Sequence, residues 1–161
     1  MSKQIISDRP YAPGYGILAR EKGSGLLPWS WVAGHLSKAH TYWIATTRED
    51  SRPHVMPVWG IWLDDVFYFS SGRNSRKVRN LTNNPHVVIC AGDDDAGIVV
   101  EGRAEEVGED ALKKTVITAY KEKYESDLEE MAEPVFAIHP EVVFGLLESD
   151  FVGSATRWKI S

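Results

Sequence analysis

The chain has 161 residues, 43% of them apolar, with a formal charge of -5 and a single cysteine. That length supports one domain with its own core and leaves little room for a second, and the acidic balance excludes a general nucleic-acid binder. Cys90 has no partner for an intramolecular disulfide, no apolar run reaches 18 residues, and the start MSKQIISDRP lacks the apolar centre of a signal peptide, so a soluble cytoplasmic protein without a membrane segment is expected.

Residues 1–27 contain several Gly and Pro and little periodicity, which predicts an irregular arm whose Tyr11 and Tyr15 suit docking on the domain or on a neighbouring subunit. Pro28 suits the first turn of a helix running to about Ala39, with Trp29, Val32, Leu36 and Ala39 near one core-facing side. Thr41–Thr47 reads as a strand closed by the polar turn Arg48–Ser51. Pro53–Leu63 and Val66–Ser71 read as two more strands, joined by a tight turn at Asp64-Asp65.

Along Pro53–Leu63 the set Val55, Pro57, Trp59, Ile61 and Leu63 is apolar, and the opposite set, His54, Met56, Val58, Gly60 and Trp62, is nearly so. A strand apolar on both sides predicts a barrel interior on one face and a ligand or second subunit on the other.

Ser75 is a good N-cap for a helix to Asn83, which puts Arg76 and Lys77 in its first turn between Arg73 and Arg79. Cations are unfavourable at the positive end of a helix. Their presence there has two readings, a phosphate held among them and the free N–H groups, or an ordinary solvated surface. Asn84-Pro85 ends the helix, and strands His86–Ala91 and Ile98–Val107 flank the loop Gly92–Gly97. The acids Asp93, Asp94 and Asp95 lack the spacing of a calcium loop and read as a solvated hairpin turn.

Residues 109 to about 130 predict an amphipathic helix with Leu112, Val116, Ala119 and Tyr120 on its apolar side, covering one barrel opening without chemistry of its own. Val135–Ile138 and Val142–Leu147, separated by His139-Pro140, read as the final strands. The five histidines lack metal-site spacing, so no metal is expected, and no GxSxG, GxGxxG or GxxxxGK[ST] motif occurs. No side chain is therefore nominated as catalytic. A bound redox cofactor would explain that, since the cofactor then carries the chemistry.

The order strand, RPHVMPVW strand, FYFSS strand, NSRKVRNL helix, NPHVVI strand and GIVVEGRAEEV strand resembles the flavin- and deazaflavin-binding split β-barrel proteins related to pyridoxamine 5'-phosphate oxidase. The resemblance covers most of residues 41–147. It implies a mainly β fold with helices, a six-stranded antiparallel split β-barrel at 41–148 within a single domain, an N-terminal arm at 1–27 and a tail at 149–161. It further implies that a flavin or deazaflavin ring lies along Met56, Pro57, Val58 and Trp59, near Ser70 and Ser71, with Ser75, Arg76 and Lys77 at the phosphate. Family members are typically homodimers with cofactor sites at the interface.

The chain departs from the true vitamin B6 oxidases, having Met56 and Ile61 where they carry Arg and Lys on the second strand, and ending in ATRWKIS instead of an Arg-Leu-rich motif. It looks closer to the deazaflavin-dependent branch, where a similar Lys contacts the phosphate of coenzyme F420. The expectation is a homodimeric oxidoreductase using F420, with FMN as second choice, to transfer a hydride to or from a small conjugated or aromatic substrate. Trp158, Arg157 and His54 are candidates for the substrate pocket, each with a structural alternative: core tryptophan, surface strand end and hydrogen-bonded histidine. The other readings are a non-catalytic cofactor carrier and a haem-binding split barrel with His139 as ligand.

Overall fold

The computed structural model describes residues 3–126 and 133–161. In chain order these form β1 Ile5–Asp8, α1 Trp29–Lys38, β2 Tyr42–Thr47, β3 Pro53–Val58, β4 Ile61–Leu63, β5 Val66–Ser70, α2 Arg76–Asn83, β6 His86–Gly92, β7 Ala96–Glu106, α3 Asp110–Tyr124, β8 Val135–Leu147, a short 3-10 turn, α4 Phe151–Ser154 and β9 Thr156–Ile160. Every strand pairing is antiparallel, in the order β1-β9-β8-β7-β6-β2-β3, with β5 paired to the first part of β8, Val135–Ile138, where β9 pairs its later part, Val142–Gly145, and β4 paired to β5. Among the described residues no helix is long and apolar enough to cross a membrane.

The long second strand expected at Pro53–Leu63 is broken at Trp59-Gly60. Its first half pairs with β2 and its second half with β5. Taken as one kinked strand, β3 and β4 join β2, β5, β6, β7 and β8 as the six strands of a split barrel, which no hydrogen-bond ladder closes between β3 and β4. Gly60 permits the bend, because a Cβ there would lie 2.1 Å from Cζ of Phe67.

Local chemistry explains the other junctions. Asp64 and Asp65 both adopt positive φ, 50° and 58°, which matches a two-residue turn to the twist of β4 and β5. The Asp93 carboxylate accepts from the backbone N–H of Asp95 at 3.0 Å and of Ala96 at 2.8 Å, so the acidic triplet is a side-chain-stabilised turn between β6 and β7. Pro28 stands at the N-cap of α1, one position ahead of the expected first turn.

Two segments differ from expectation. The N-terminal arm contains β1, which pairs with β9 in the expected tail, so both ends of the chain extend the sheet. His139-Pro140 does not separate two strands: β8 runs unbroken, and the register with β7 shifts around Glu101/Gly102, where Val142 and Pro140 are the successive partners. Glu141 is the residue the bulge leaves out of the register, and Pro140 sits beside it, a position where sheets tolerate proline. The final part of the helix expected to reach about residue 130 lies outside the described residues.

The core has two parts. Phe67 and Phe69 point into the barrel, where Tyr42, Ile44, Ile89, Val100 and Ile138 join them under α1. Val66 and Tyr68, on the opposite face of β5, pack beneath α3 with Val116, Tyr120 and Tyr124. The strand is thus buried on both sides, as its unbroken apolar run requires.

Candidate cofactor site

Helix α2 is fixed against the β2–β3 hairpin by two side-chain amides. Asn80 Nδ2 donates to Thr46 Oγ1 at 2.9 Å in the interior, and Asn83 Nδ2 donates to Glu49 at 2.9 Å on the surface. Ser75 caps the helix by accepting the Val78 N–H at 3.3 Å, and its hydroxyl lies 3.1 Å from that of Ser71 at the end of β5. These contacts carry the first turn of α2 alongside the start of β3.

The four basic residues around that turn divide. Arg73 is taken up by Glu106, 2.8 Å away on β7, and Arg79 is exposed further along the helix. Arg76 lines a cleft of about 170 Å³ with Arg48, Glu49, Asp50 and Arg52 of the hairpin turn. Lys77 is half-buried, has no carboxylate within 4.0 Å among the described residues, and burial lowers its ammonium below the usual range. The pKa of His54 is lowered first by burial, then by the charges of Arg48, Lys77 and Arg76. Arg48 Nε and His54 Nδ1 are shielded from solvent without a hydrogen-bond partner among the described residues. Unpartnered nitrogens gathered in a positive field fit a phosphate group.

Three of the four residues expected along the ring, Met56, Pro57 and Trp59, are exposed, and Val58 is not. Met56 is 43% and Trp59 45% exposed, whereas Val58 is in the core. Pro57 and Val55 lie on the outer face beside Trp43, itself 51% exposed. The expectation that both faces of this segment are covered is not met within one chain: β3 is an edge strand with an open apolar flank. Ser70 spends its hydroxyl on the carbonyl of Pro134 at 3.1 Å, which ties β5 to β8 and leaves Ser71 and Ser75 nearer the cationic turn.

The structure does not bring Trp158 and Arg157 to this group. Trp158 is 1% exposed and packs edge-on against Trp29 at 5.9 Å, so within the chain it is a core residue and not a pocket wall. Arg157 sits beside it on β9, separated from β3 by four strands in the sheet order. His54 lies in the cluster, but without the hydrogen bond a structural histidine would have. His139 is exposed on β8, 3.6 Å from Glu105.

Sequence reasoning missed a second group at the Trp59-Gly60 kink. Lys123 Nζ on α3 donates to the Tyr42 hydroxyl at 2.7 Å and the Gly60 carbonyl at 3.0 Å, and Tyr120 donates to the Trp59 carbonyl at 2.8 Å. The signal was present: Tyr120, Lys123 and Tyr124 share one helix face, with a lysine inside an apolar stripe. Arg48 was also missed, because it reads as part of a polar turn.

The antiparallel sheet with its kinked β3–β4 strand defines a split-barrel fold. The chain belongs to the family described as pyridoxamine 5'-phosphate oxidase, which it matches over residues 32–146. No curated protein matches it. Solved structures with the same fold include an F420 reductase (22% identity, covering 68% of this chain and 93% of that one, TM-score 0.58). An FAD-binding protein from Mesorhizobium loti is 19% identical over 82% of this chain and 95% of its own, with a TM-score of 0.60. The haem storage protein HutZ from Vibrio cholerae is 20% identical over 73% and 93%, with a TM-score of 0.63. At these identities the likeness is one of fold.

Proposed function

We propose that the protein is an oxidoreductase that holds a flavin-type cofactor, coenzyme F420 in first place and FMN in second, and transfers a hydride to or from a small conjugated or aromatic substrate. One observation carries this reading: among the described residues Arg76 and Lys77, at the start of α2, have no carboxylate within 4.0 Å, while Met56 and Trp59 stay accessible. Bound there, a deazaflavin or flavin ring would supply the hydride chemistry.

The chain's own side chains bind and orient. Arg76 and Lys77 hold a phosphate by charge-assisted hydrogen bonds, and the Ser71–Ser75 pair presents hydroxyls beside it. Met56 and Trp59 give the ring an apolar support, and the kink behind Trp59 fixes where that support ends. Met56 and Ile61 occupy positions where the vitamin B6 oxidases carry Arg and Lys, which argues against pyridoxamine phosphate as substrate.

A second copy of the chain is the proposed cover for the outer face of Trp43, Val55 and Pro57, since an apolar strand face left open in one chain is a typical oligomer surface. The single half-buried cysteine agrees with a reducing cytoplasm. A haem-binding role is the second reading, favoured by the fold shared with the haem storage protein.

Fluorescence titration of the purified protein with F420 and with FMN at fixed ionic strength tests the proposal, followed by oxidation of the reduced cofactor with enones and quinones. Selective F420 binding and turnover support it. Binding without turnover by any acceptor makes the protein a carrier, and a Soret band on haem addition with no affinity for either cofactor overturns it.

A further inference from the structure

The cationic group at the head of α2 continues onto the hairpin. Arg48 stands at the end of β2, its backbone pinned by the bond from its own N–H to the Arg52 carbonyl at 3.0 Å and by the Ser51 N–H to its carbonyl at 2.9 Å. Its side chain shares a cleft with Arg76. His54 is the ladder partner of Thr46, whose hydroxyl accepts from Asn80 of α2. Directly paired residues share a face of the sheet, so the imidazole of His54 is on the side of β3 that meets α2.

Two acids, Glu49 and Asp50, line the same cleft, and each already has a partner. Asp50 pairs with Arg52 at 2.7 Å, and Glu49 accepts from Asn83 at 2.9 Å. The groups acting on His54 are Arg48 from the hairpin turn and Arg76 and Lys77 from α2, all positive. Arg48 Nε and His54 Nδ1 remain without partners although both are shielded from water. They are two of five such atoms among the described residues, and these two share one positive field, where an anion gives a partner to each.

We propose that Arg48 and His54 form the second wall of the anion site whose first wall is Arg76 and Lys77, and that the four together receive a dianionic phosphate monoester. This rests on the phosphate reading above and extends it to residues outside the helix. His54 is held neutral by burial and by its three cationic neighbours when no anion is present. A dianion reverses that field and favours the imidazolium. Between the titration range of His54 in the free protein and its higher range with phosphate bound, binding therefore takes up a proton fraction of at most one, carried on the imidazole.

The test follows the ring resonances of His54 by NMR as pH is varied, with and without inorganic phosphate, in wild type and in R48Q. Phosphate is expected to move the His54 titration to higher pH in wild type and to move it far less in R48Q. In parallel, FMN and riboflavin, which differ by the phosphate, are titrated calorimetrically in buffers of different ionisation enthalpy. R48Q should weaken FMN binding about tenfold, one charge-assisted hydrogen bond's worth, and leave riboflavin unchanged. H54Q should abolish the proton uptake. Unchanged FMN affinity in R48Q, or proton uptake that persists in H54Q, overturns the inference. If R76A/K77A weakens FMN binding and R48Q does not, this inference falls and the cofactor reading stands. If wild type binds neither FMN nor F420, the cofactor reading falls, and the response of His54 to inorganic phosphate alone decides this one.

Discussion

Trp59 and Tyr124 stack face to face, with ring centroids 4.5 Å apart and planes 8° from parallel. The stack joins α3 to the kink between β3 and β4. The hydroxyl of Tyr124 completes the junction, accepting the Gly60 N–H at 2.9 Å and lying 2.9 Å from the carbonyls of Gly60 and His40. The end of the proposed ring support is thus set by a helix some sixty residues away in sequence.

Removing that hydroxyl leaves the buried Gly60 N–H without an acceptor. Y124F is expected to lower stability by about 1–3 kcal/mol, the usual cost of an orphaned buried donor. Urea denaturation followed by tryptophan fluorescence measures it; an unchanged midpoint would mean the stack alone holds the kink.

The kink requires a residue without a side chain. G60A places a Cβ 2.1 Å from Cζ and 2.3 Å from Cε2 of Phe67, which sits in the core. The ring has little room to retreat, so a loss of about 1–3 kcal/mol or more is expected from overpacking. A thermal melt equal to wild type would contradict the packing described.

Lys123 makes stability depend on pH. Burial lowers its pKa to about 8, against about 10.4 for a free lysine. Below pH 8 both folded and unfolded chains carry the charge, and the folded state bears the full desolvation cost. Between about 8 and about 10.4 the unfolded chain holds a proton that the folded chain has released, so stability rises with pH through this window. The difference in urea midpoint between wild type and K123M, measured from pH 7.5 to 10, should shift in favour of wild type as pH rises. A pH-independent difference would show that the ammonium is solvated.

Trp158 is buried within the chain. Fully buried against Trp29, it should cost about 3–5 kcal/mol on replacement by alanine. W158F is the milder probe of binding: cofactor affinity measured below its melting temperature should equal that of wild type, whereas a selective loss of affinity would restore Trp158 to the pocket.

What could be read from the sequence was local. The cap at Ser75, the turn at Asp64-Asp65 and the two-sided apolar run of β5 depend on neighbouring residues, and each is found where its chemistry places it. The Trp59-Gly60 bend was hidden because tertiary contact with Phe67 and α3, not β propensity, decides it. Pro140 looked like a strand terminator because a bulge is visible only once β7 is alongside. The same limit applies at the site. Arg76 and Lys77 announce themselves by sitting at a helix start, but Arg48 and His54 join them only through the pairing of β2 with β3 and the docking of α2. Trp158 showed its size and not its direction.

The central proposal is a phosphate held at the start of α2. The measurement that tests it most directly is the affinity of R76A/K77A for whichever of F420 or FMN binds wild type, with melting temperature recorded alongside. Two charge-assisted hydrogen bonds at roughly 1.5–3 kcal/mol each predict a loss of about a hundredfold or more with an unchanged melt. Equal affinity in wild type and variant would contradict the site.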